Sequence, residues 1–231
     1  ILLLNNDVLV NSGLIKTLMQ QFKDESVFAV SPRIILPSKG NLDEGCKYGY
    51  WRRGVFFTDQ RQGIKYTCPI LYTTGCAALY RMSMLKELGG FDTIYSPYYW
   101  EDADLGYRAW KRGWKSIYNP DASVIHEHSA TISSDKRAKV RKIQARNSLF
   151  FIWRNIEDPI YIHKQKIWFL LIILRRIVAG DFAYIQGIIN ALAKRKICRD
   201  ICSKDSALRN ITDKEIFSIT STLDNGIAGE Y

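Results

Sequence analysis

Three carboxylates fall within four residues of the stretch WEDADLGYRAWKRGW (residues 100–114): Glu101, Asp102 and Asp104. Acids at this place can serve two ends. They open a helical pattern in which Leu105, Ala109 and Trp110 share a face, and a carboxylate in a first turn is stabilised by the helix dipole. Two neighbouring carboxylates also raise one another's pKa, which makes a stronger base for drawing a proton from a hydroxyl. Asp104 is placed to pair with Arg108 one turn on, a structural role. A further acid, Asp7, follows Asn5 and Asn6 at the end of the apolar run Ile1–Leu4. Oxygen ligands there suit a hard cation such as Mg²⁺ or Mn²⁺, or the triplet simply closes an Asx turn. His126 and His128, two residues apart, share one face of a short β-prone run and add imidazoles to the inventory.

The surrounding pattern supplies elements to hold these groups. Residues 1–35 read as strand, turn, helix and strand. The helix is expected over Val8–Phe22, where Leu14, Leu18 and Phe22 recur at i, i+4 and i+8. Residues 37–66 lack a clean period and read as an irregular or hairpin segment. ILYTTGCAALYR (70–81) reads as a strand with Gly75 inside it, a place where a ligand or another backbone can approach closely. Met82–Leu88 reads as a short helix stopped by Gly89-Gly90, and Gly113 closes the helix that starts at Glu101. KSIYNPDASVIHEH gives two short strands about an Asn-Pro-Asp turn.

Beyond Ser134 the character changes. Residues 136–199 hold 15 Lys/Arg against 3 Asp/Glu, a net +12, while the chain as a whole is +10. This segment predicts a long basic helix over Lys136–Trp153 and a helical hairpin over about 159–196. Ile167–Leu174 is apolar throughout but far short of the ~20 residues that span a bilayer. Local basicity of this kind points to an anionic partner, and a membrane surface fits the hairpin. No nucleic-acid motif is present. The division expected is 1–134 as the main domain, 135–202 as a basic amphipathic helical region, and 203–231 as a loose polar tail. The five cysteines form no CxxC pair and read as buried or inert thiols. The chain opens inside what reads as a core strand, without a signal peptide, and so reads as a piece lacking an N-terminal part.

Four stretches in order, LLLNNDV (2–8), TGCAALYRMSMLKELGGFD (74–92), WEDADLGYRAWKRGW (100–114) and VIHEHSAT (124–131), resemble the family 2 glycosyltransferases of GT-A fold, especially bacterial rhamnosyltransferase-like members. The resemblance covers about residues 1–155. It implies an α/β fold, here the C-terminal half of a Rossmann-like GT-A mixed sheet with flanking helices, followed by the basic helical extension. It implies an inverting transfer of a hexosyl or deoxyhexosyl group from a nucleotide-diphospho-sugar to a hydroxyl of a glycan or lipid-linked acceptor, in cell-surface polysaccharide synthesis. By the same resemblance Asp102 is the catalytic base and Glu101 orients the acceptor or tunes Asp102. Asn5, Asn6 and Asp7 face the donor diphosphate. Asp7 and His126 hold Mg²⁺ or Mn²⁺, with His128 as the alternative to His126. Gly75, Phe91, Asp92 and Trp100 line the acceptor side, with Tyr95, Tyr98 and Tyr99 as further candidates. One departure stands out: the family's Asp-x-Asp has Asn5 at its first acid. The family's nucleotide-binding half would precede Ile1, so this chain by itself is expected to be inactive. The place implied is cytoplasmic, peripheral at the inner face of the cell membrane. Two other readings remain open, a catalytically inactive relative and a basic module that binds membranes or anions.

Overall fold

The computed structural model describes residues 1–127 and 134–221. In chain order they form β1 (Leu2–Leu4), β2 (Val8–Val10), α1 (Leu14–Met19), β3 (Val27–Leu36), β4 (Leu42–Asp43), β5 (Lys47–Arg52), β6 (Val55–Gln60), β7 (Cys68–Ile70), β8 (Ala77–Tyr80), α2 (Met82–Glu87), α3 (Glu101–Lys111), β9 (Lys115–His126), α4 (Ser134–Asn155), α5 (Pro159–Val178), α6 (Phe182–Ala193), α7 (Arg195–Asp205) and α8 (Asp213–Ser221). The main sheet runs β1-β8-β3-β9-β2, with β4 on β3 and β7 on β9. It is mixed: β3 and β9 are parallel, and the other pairs are antiparallel. The β5–β6 hairpin is a separate two-stranded sheet.

Several expectations change in detail. Val8–Val10 is a strand rather than the start of a helix, because these β-branched and apolar residues pair with Val124–His126 of β9. The helix begins only after Gly13, yet Leu14 and Leu18 are buried as its face requires. Residues 115–126 are one strand, not two. Asn119-Pro120-Asp121 does not turn the chain; it forms an irregularity where the β3–β9 register jumps from Pro32↔Asn119 to Arg33↔Ser123. Pro120 has no N–H to give the ladder, and the Asn119 side chain accepts from the Asp121 amide instead. Gly75 lies in the turn before β8 rather than inside a strand.

The largest change concerns the C-terminal segment. Residues 213–221, expected within a loose tail, form α8, and Ile216 and Phe217 are buried. They join an apolar cluster with Phe56 of the hairpin, Tyr107 of α3, and Leu149 and Phe151 of α4. Phe217 meets the Phe56, Tyr107 and Tyr161 rings at 5.4, 5.8 and 5.3 Å. Burying two such side chains contributes about 1.5–3 kcal/mol each. Asp213 explains why α8 starts where it does. Its buried carboxylate accepts from the Tyr107 hydroxyl and from the backbone amides of Glu157 and Asp158, and it pairs with Lys111. The basic helix α4 shares the same core, so residues on both sides of position 134 pack as one cluster. Gly187 of α6 sits so close to α4 that a Cβ there would stand 2.4 Å from the Lys142 carbonyl oxygen.

Candidate active site

The β2–β9 register sets the first pair of groups. Val8 lies opposite His126, and the Glu127 amide donates to the Asp7 carbonyl, so Asp7 and His126 are brought side by side. His126 Nε2 stands 3.3 Å from Asp7 Oδ1, and its Nδ1 stands 3.7 Å from Glu44 Oε2. His128 lies outside the described residues. Asn5 and Asn6 are exposed beside Asp7, and the Asn5 amide donates to the Cys76 carbonyl, which ties the end of β1 to the turn that holds Gly75.

Glu44 was hidden in the segment read as irregular, and no periodicity or motif marked it. Its position is nevertheless tightly fixed. Buried Asp43 accepts from the Ile34 and Gly45 amides and from the Tyr118 hydroxyl, while the Glu44 amide donates to Ile34 O. Gly45 follows because nothing larger fits: a Cβ would lie 2.1 Å from the Pro32 carbonyl oxygen. Cys76 lies close to both acids. Its thiol is pushed up to about 12, first by burial and then by the charges of Glu44 and Asp7. Asp7 Oδ1 is buried and, among the described residues, has the His126 ring nearby but no hydrogen bond of good geometry. Among the described residues no three His, Cys, Asp or Glu side chains are gathered as a preformed metal cage. Two carboxylates flanking an imidazole, one with a buried oxygen lacking a hydrogen bond of good geometry, still make a donor set that suits a hard divalent cation.

The second group is the start of α3. Tyr99 and Trp100 both have left-handed backbones, φ 73° and 77°, which for non-glycine residues is a strained conformation that the surroundings must impose. The imposing residue is Asn147 of α4, fully buried, whose side-chain amide donates to the carbonyls of Tyr95, Tyr98 and Tyr99. Arg146 beside it reaches the Ser96 carbonyl. The sequence marked α4 for its charge. The informative signal was the polar set 147, 154 and 155, spaced with Phe150 and Phe151 on one helical face.

The three acids then part ways. Asp104 is fully buried and saturated. It accepts from the Tyr95 hydroxyl at 2.9 Å, Asn155 Nδ2 at 2.8 Å and Arg108 Nε at 2.7 Å, with Arg154 at 3.3 Å. Arg108 goes on to donate to the Leu88 and Gly90 carbonyls at the end of α2. The expected Asp104–Arg108 pair is therefore present. Asp102 is different. Burial raises its pKa above the ordinary value, opposed by the Ala103 amide, the Lys47 ammonium and the Gly75 amide. Glu101 is likewise raised by burial and by the adjacent Asp102, and its Oε2 is buried with no donor among the described residues. Lys47, on β5, was not marked by the sequence. Its own pKa is lowered by burial against the pull of Glu44 and Asp102, and its ammonium donates to Gln60 at 2.8 Å.

Gly75 is open: a Cβ there would meet nothing within 4 Å. Trp100 leans on Phe151 and Phe56 at 5.2 and 6.2 Å and keeps part of its surface. Phe91 packs edge-on against Tyr80 in the cluster between α2, α3 and the sheet. Asp92 is already engaged, Oδ1 with the Ile94 amide and Oδ2 with Arg154, so a hydroxyl would compete for it. Tyr95 is buried in the Asp104 network, whereas Tyr98 and Tyr99 remain partly or largely exposed.

Comparisons with known proteins bear on family and fold. Over residues 1–193 the chain matches the family model described as glycosyl transferase family group 2. It is 36% identical over 88 residues to N-acetylglucosaminyl-diphospho-decaprenol L-rhamnosyltransferase of Mycobacterium tuberculosis, covering 37% of this chain and 28% of that protein. It is 29% identical over 126 residues to the pre-mycofactocin glycosyltransferase of the same species, covering 54% of this chain and 26% of the relative. The chain thus spans about a quarter of the length of these curated relatives. Its fold is similar to the crystal structure of GalNAc-T7 with UDP, GalNAc and Mn²⁺, with a TM-score of 0.50 at 17% identity, over 69% of this chain and 32% of that one. The mixed α/β architecture is that of a GT-A glycosyltransferase, and the chain belongs to glycosyl transferase family group 2.

Proposed function

We propose that this protein transfers a sugar from a nucleotide-diphospho-sugar to a hydroxyl of a glycan or lipid-linked acceptor, with inversion, and that Asp102 is the general base. The observation that carries the reading is the state of Asp102: a carboxylate beside open Gly75, raised by burial, next to Glu101. A base of raised pKa binds the hydroxyl proton better, which is what nucleophilic attack on an anomeric carbon needs. Asp102 removes the proton, the hydroxyl oxygen attacks from the face opposite the leaving diphosphate, and the anomeric configuration inverts. The Lys47 charge opposes the rise of the Asp102 pKa, and Glu101 holds the incoming hydroxyl. Trp100 offers a ring face on which a sugar can rest.

Asp7, His126 and Glu44 would hold Mg²⁺ or Mn²⁺, which when bound neutralises diphosphate charge. Asn5 can add only a neutral oxygen. The rhamnosyltransferase relative suggests a deoxyhexosyl donor and a polyprenyl-linked acceptor in cell-surface polysaccharide synthesis.

The test is radiolabelled sugar transfer from a panel of nucleotide-sugars by the whole protein, nucleotide-binding part included, and by its Asp102→Asn form. Loss of transfer with unchanged circular dichroism and donor binding is expected, and near-wild-type transfer by that variant defeats the assignment. Mn²⁺ binding, followed by electron paramagnetic resonance without substrate, should weaken strongly in Asp7→Ala. Equal binding by both forms removes Asp7 from the metal site.

A further inference from the structure

We propose that the outer face of α5, together with the α5–α6 turn, docks on an anionic lipid bilayer, lying along the surface rather than crossing it. The 20-residue helix extends about 30 Å. Its inner side carries Tyr161, Ile162, Phe169 and Ile173 against the core. Its outer side leaves Ile167, Leu170, Leu171 and Leu174 more than half exposed. Their spacing places these four on one helical face. At the turn, Val178 is 89% and Phe182 77% exposed. A contiguous apolar stripe of this kind on a folded protein marks an interaction surface.

Charge decides what covers it. By helical position Lys164 and Arg175 edge the stripe on one side and Lys166 on the other, and all three are exposed. From Pro159 to Cys198 the sequence holds one acid, Asp181. That acid is neutralised, since it caps α6 and pairs with Arg141 and Arg176. The stripe therefore presents hydrocarbon bordered by cations, with no free carboxylate within Pro159–Cys198. Anionic lipid headgroups over acyl chains complement both features at once. A second copy does not, because two-fold pairing through this face brings the Lys and Arg rows of both copies together. The cations also keep α5 from spanning: among the described residues no helix is long and apolar enough to cross a membrane.

This inference stands on α5 and α6 alone and does not depend on sugar transfer. The test is co-sedimentation of the full chain with vesicles of phosphatidylcholine, with and without one quarter phosphatidylglycerol. Binding to the anionic vesicles is expected, weakened by salt. The Leu170→Glu/Leu174→Glu form should lose at least roughly tenfold in partitioning. The Lys164→Glu/Lys166→Glu/Arg175→Glu form should lose on the order of 100-fold on anionic vesicles. All five positions are exposed, and thermal melts matching the parent show that the fold is kept. Absence of binding by the parent, or undiminished binding by either variant, overturns the proposal. So does a dimer in sedimentation velocity that the Leu170→Glu/Leu174→Glu form dissociates without any vesicle binding by the parent.

Discussion

Asp104 and Asp102 lie two residues apart on one helix and have opposite surroundings. Asp104 is met by Tyr95, Asn155, Arg108 and Arg154, so that each oxygen is satisfied. Asp102 is half-buried, with the Ala103 and Gly75 amides and the more distant Lys47 against it, and Glu101 beside it keeps an oxygen without a donor among the described residues. The same contrast recurs at longer range. Asp213 is saturated by a hydroxyl, two amides and an ammonium, while the buried Asp7 oxygen has only the His126 imidazole at 3.3 Å, with no hydrogen bond of good geometry among the described residues. A saturated carboxylate has spent its acceptor capacity on the fold and gains nothing from a ligand. An unsaturated one costs stability and keeps that capacity for a substrate or a cation. The carboxylates thus sort into those that build and those that wait.

The sharpest way to break this contrast is Asp102→Asn. Transfer should fall by about 10²–10⁴-fold, the usual contribution of a positioned base. The sign on stability should be the reverse. The folded pKa of Asp102 is raised above its unfolded value, so its favourable contribution exists at low pH and is lost as pH rises through the folded pKa. At neutral pH the neutral amide should therefore raise the melting temperature, measured by calorimetry.

Next in size is Asp104→Ala, which strands Arg108 and Arg154 in the interior. It should cost about 3–5 kcal/mol in urea unfolding, as removal of one partner from a buried pair does. A cost under about 1 kcal/mol, the range of an exposed pair, would mean that the network is not what holds α3. Asn147→Ala comes third, with a loss of about 1–3 kcal/mol as the Tyr98 and Tyr99 carbonyls lose this donor and the Tyr95 carbonyl keeps only Arg146. Relaxation of the Tyr99–Trp100 backbone should follow and lower kcat more than it raises KM. An unchanged kcat would show that the strained turn has no part in aiming Asp102.

The smallest effect is a shift in pH dependence. The acid limb of kcat/KM should lie above the ordinary aspartate value. Lys47→Met, which removes a nearby positive charge, should move that limb to higher pH. Movement to lower pH would contradict the placement of Lys47 beside Asp102.

How much of this was legible in the sequence depended on the range of the interactions. The Asp104–Arg108 pair, the Gly89-Gly90 stop, with φ of 74° and 69°, and the Leu14/Leu18 face are all local, and spacing alone indicated them. Glu44 and Lys47 were not legible. They reach the site only because Gly45 lets its backbone press on β3 and because the β5–β6 hairpin folds over α3. Charge counting also misled in one respect. Arg154 and Arg146 contributed to the basic character of α4, but both turn inward, to Asp104 and to the loop before α3. The residues of α8 looked like a tail because Ile216, Phe217 and Ile219 make only a short apolar pattern, yet Ile216 and Phe217 are inserted in the core.

The β5–β6 hairpin has a mechanical consequence. Its six-residue strands make a stiff ribbon about 20 Å long. At its base stands Lys47, whose charge is felt at Asp102. At its tip Gly54, with φ of 67°, lies against α5 so closely that a Cβ would be 2.5 Å from the Lys164 carbonyl oxygen. Trp51 stacks on Tyr161 of the same helix at 4.9 Å. One ribbon thus joins the helix with the exposed apolar stripe to the electrostatic surroundings of Asp102.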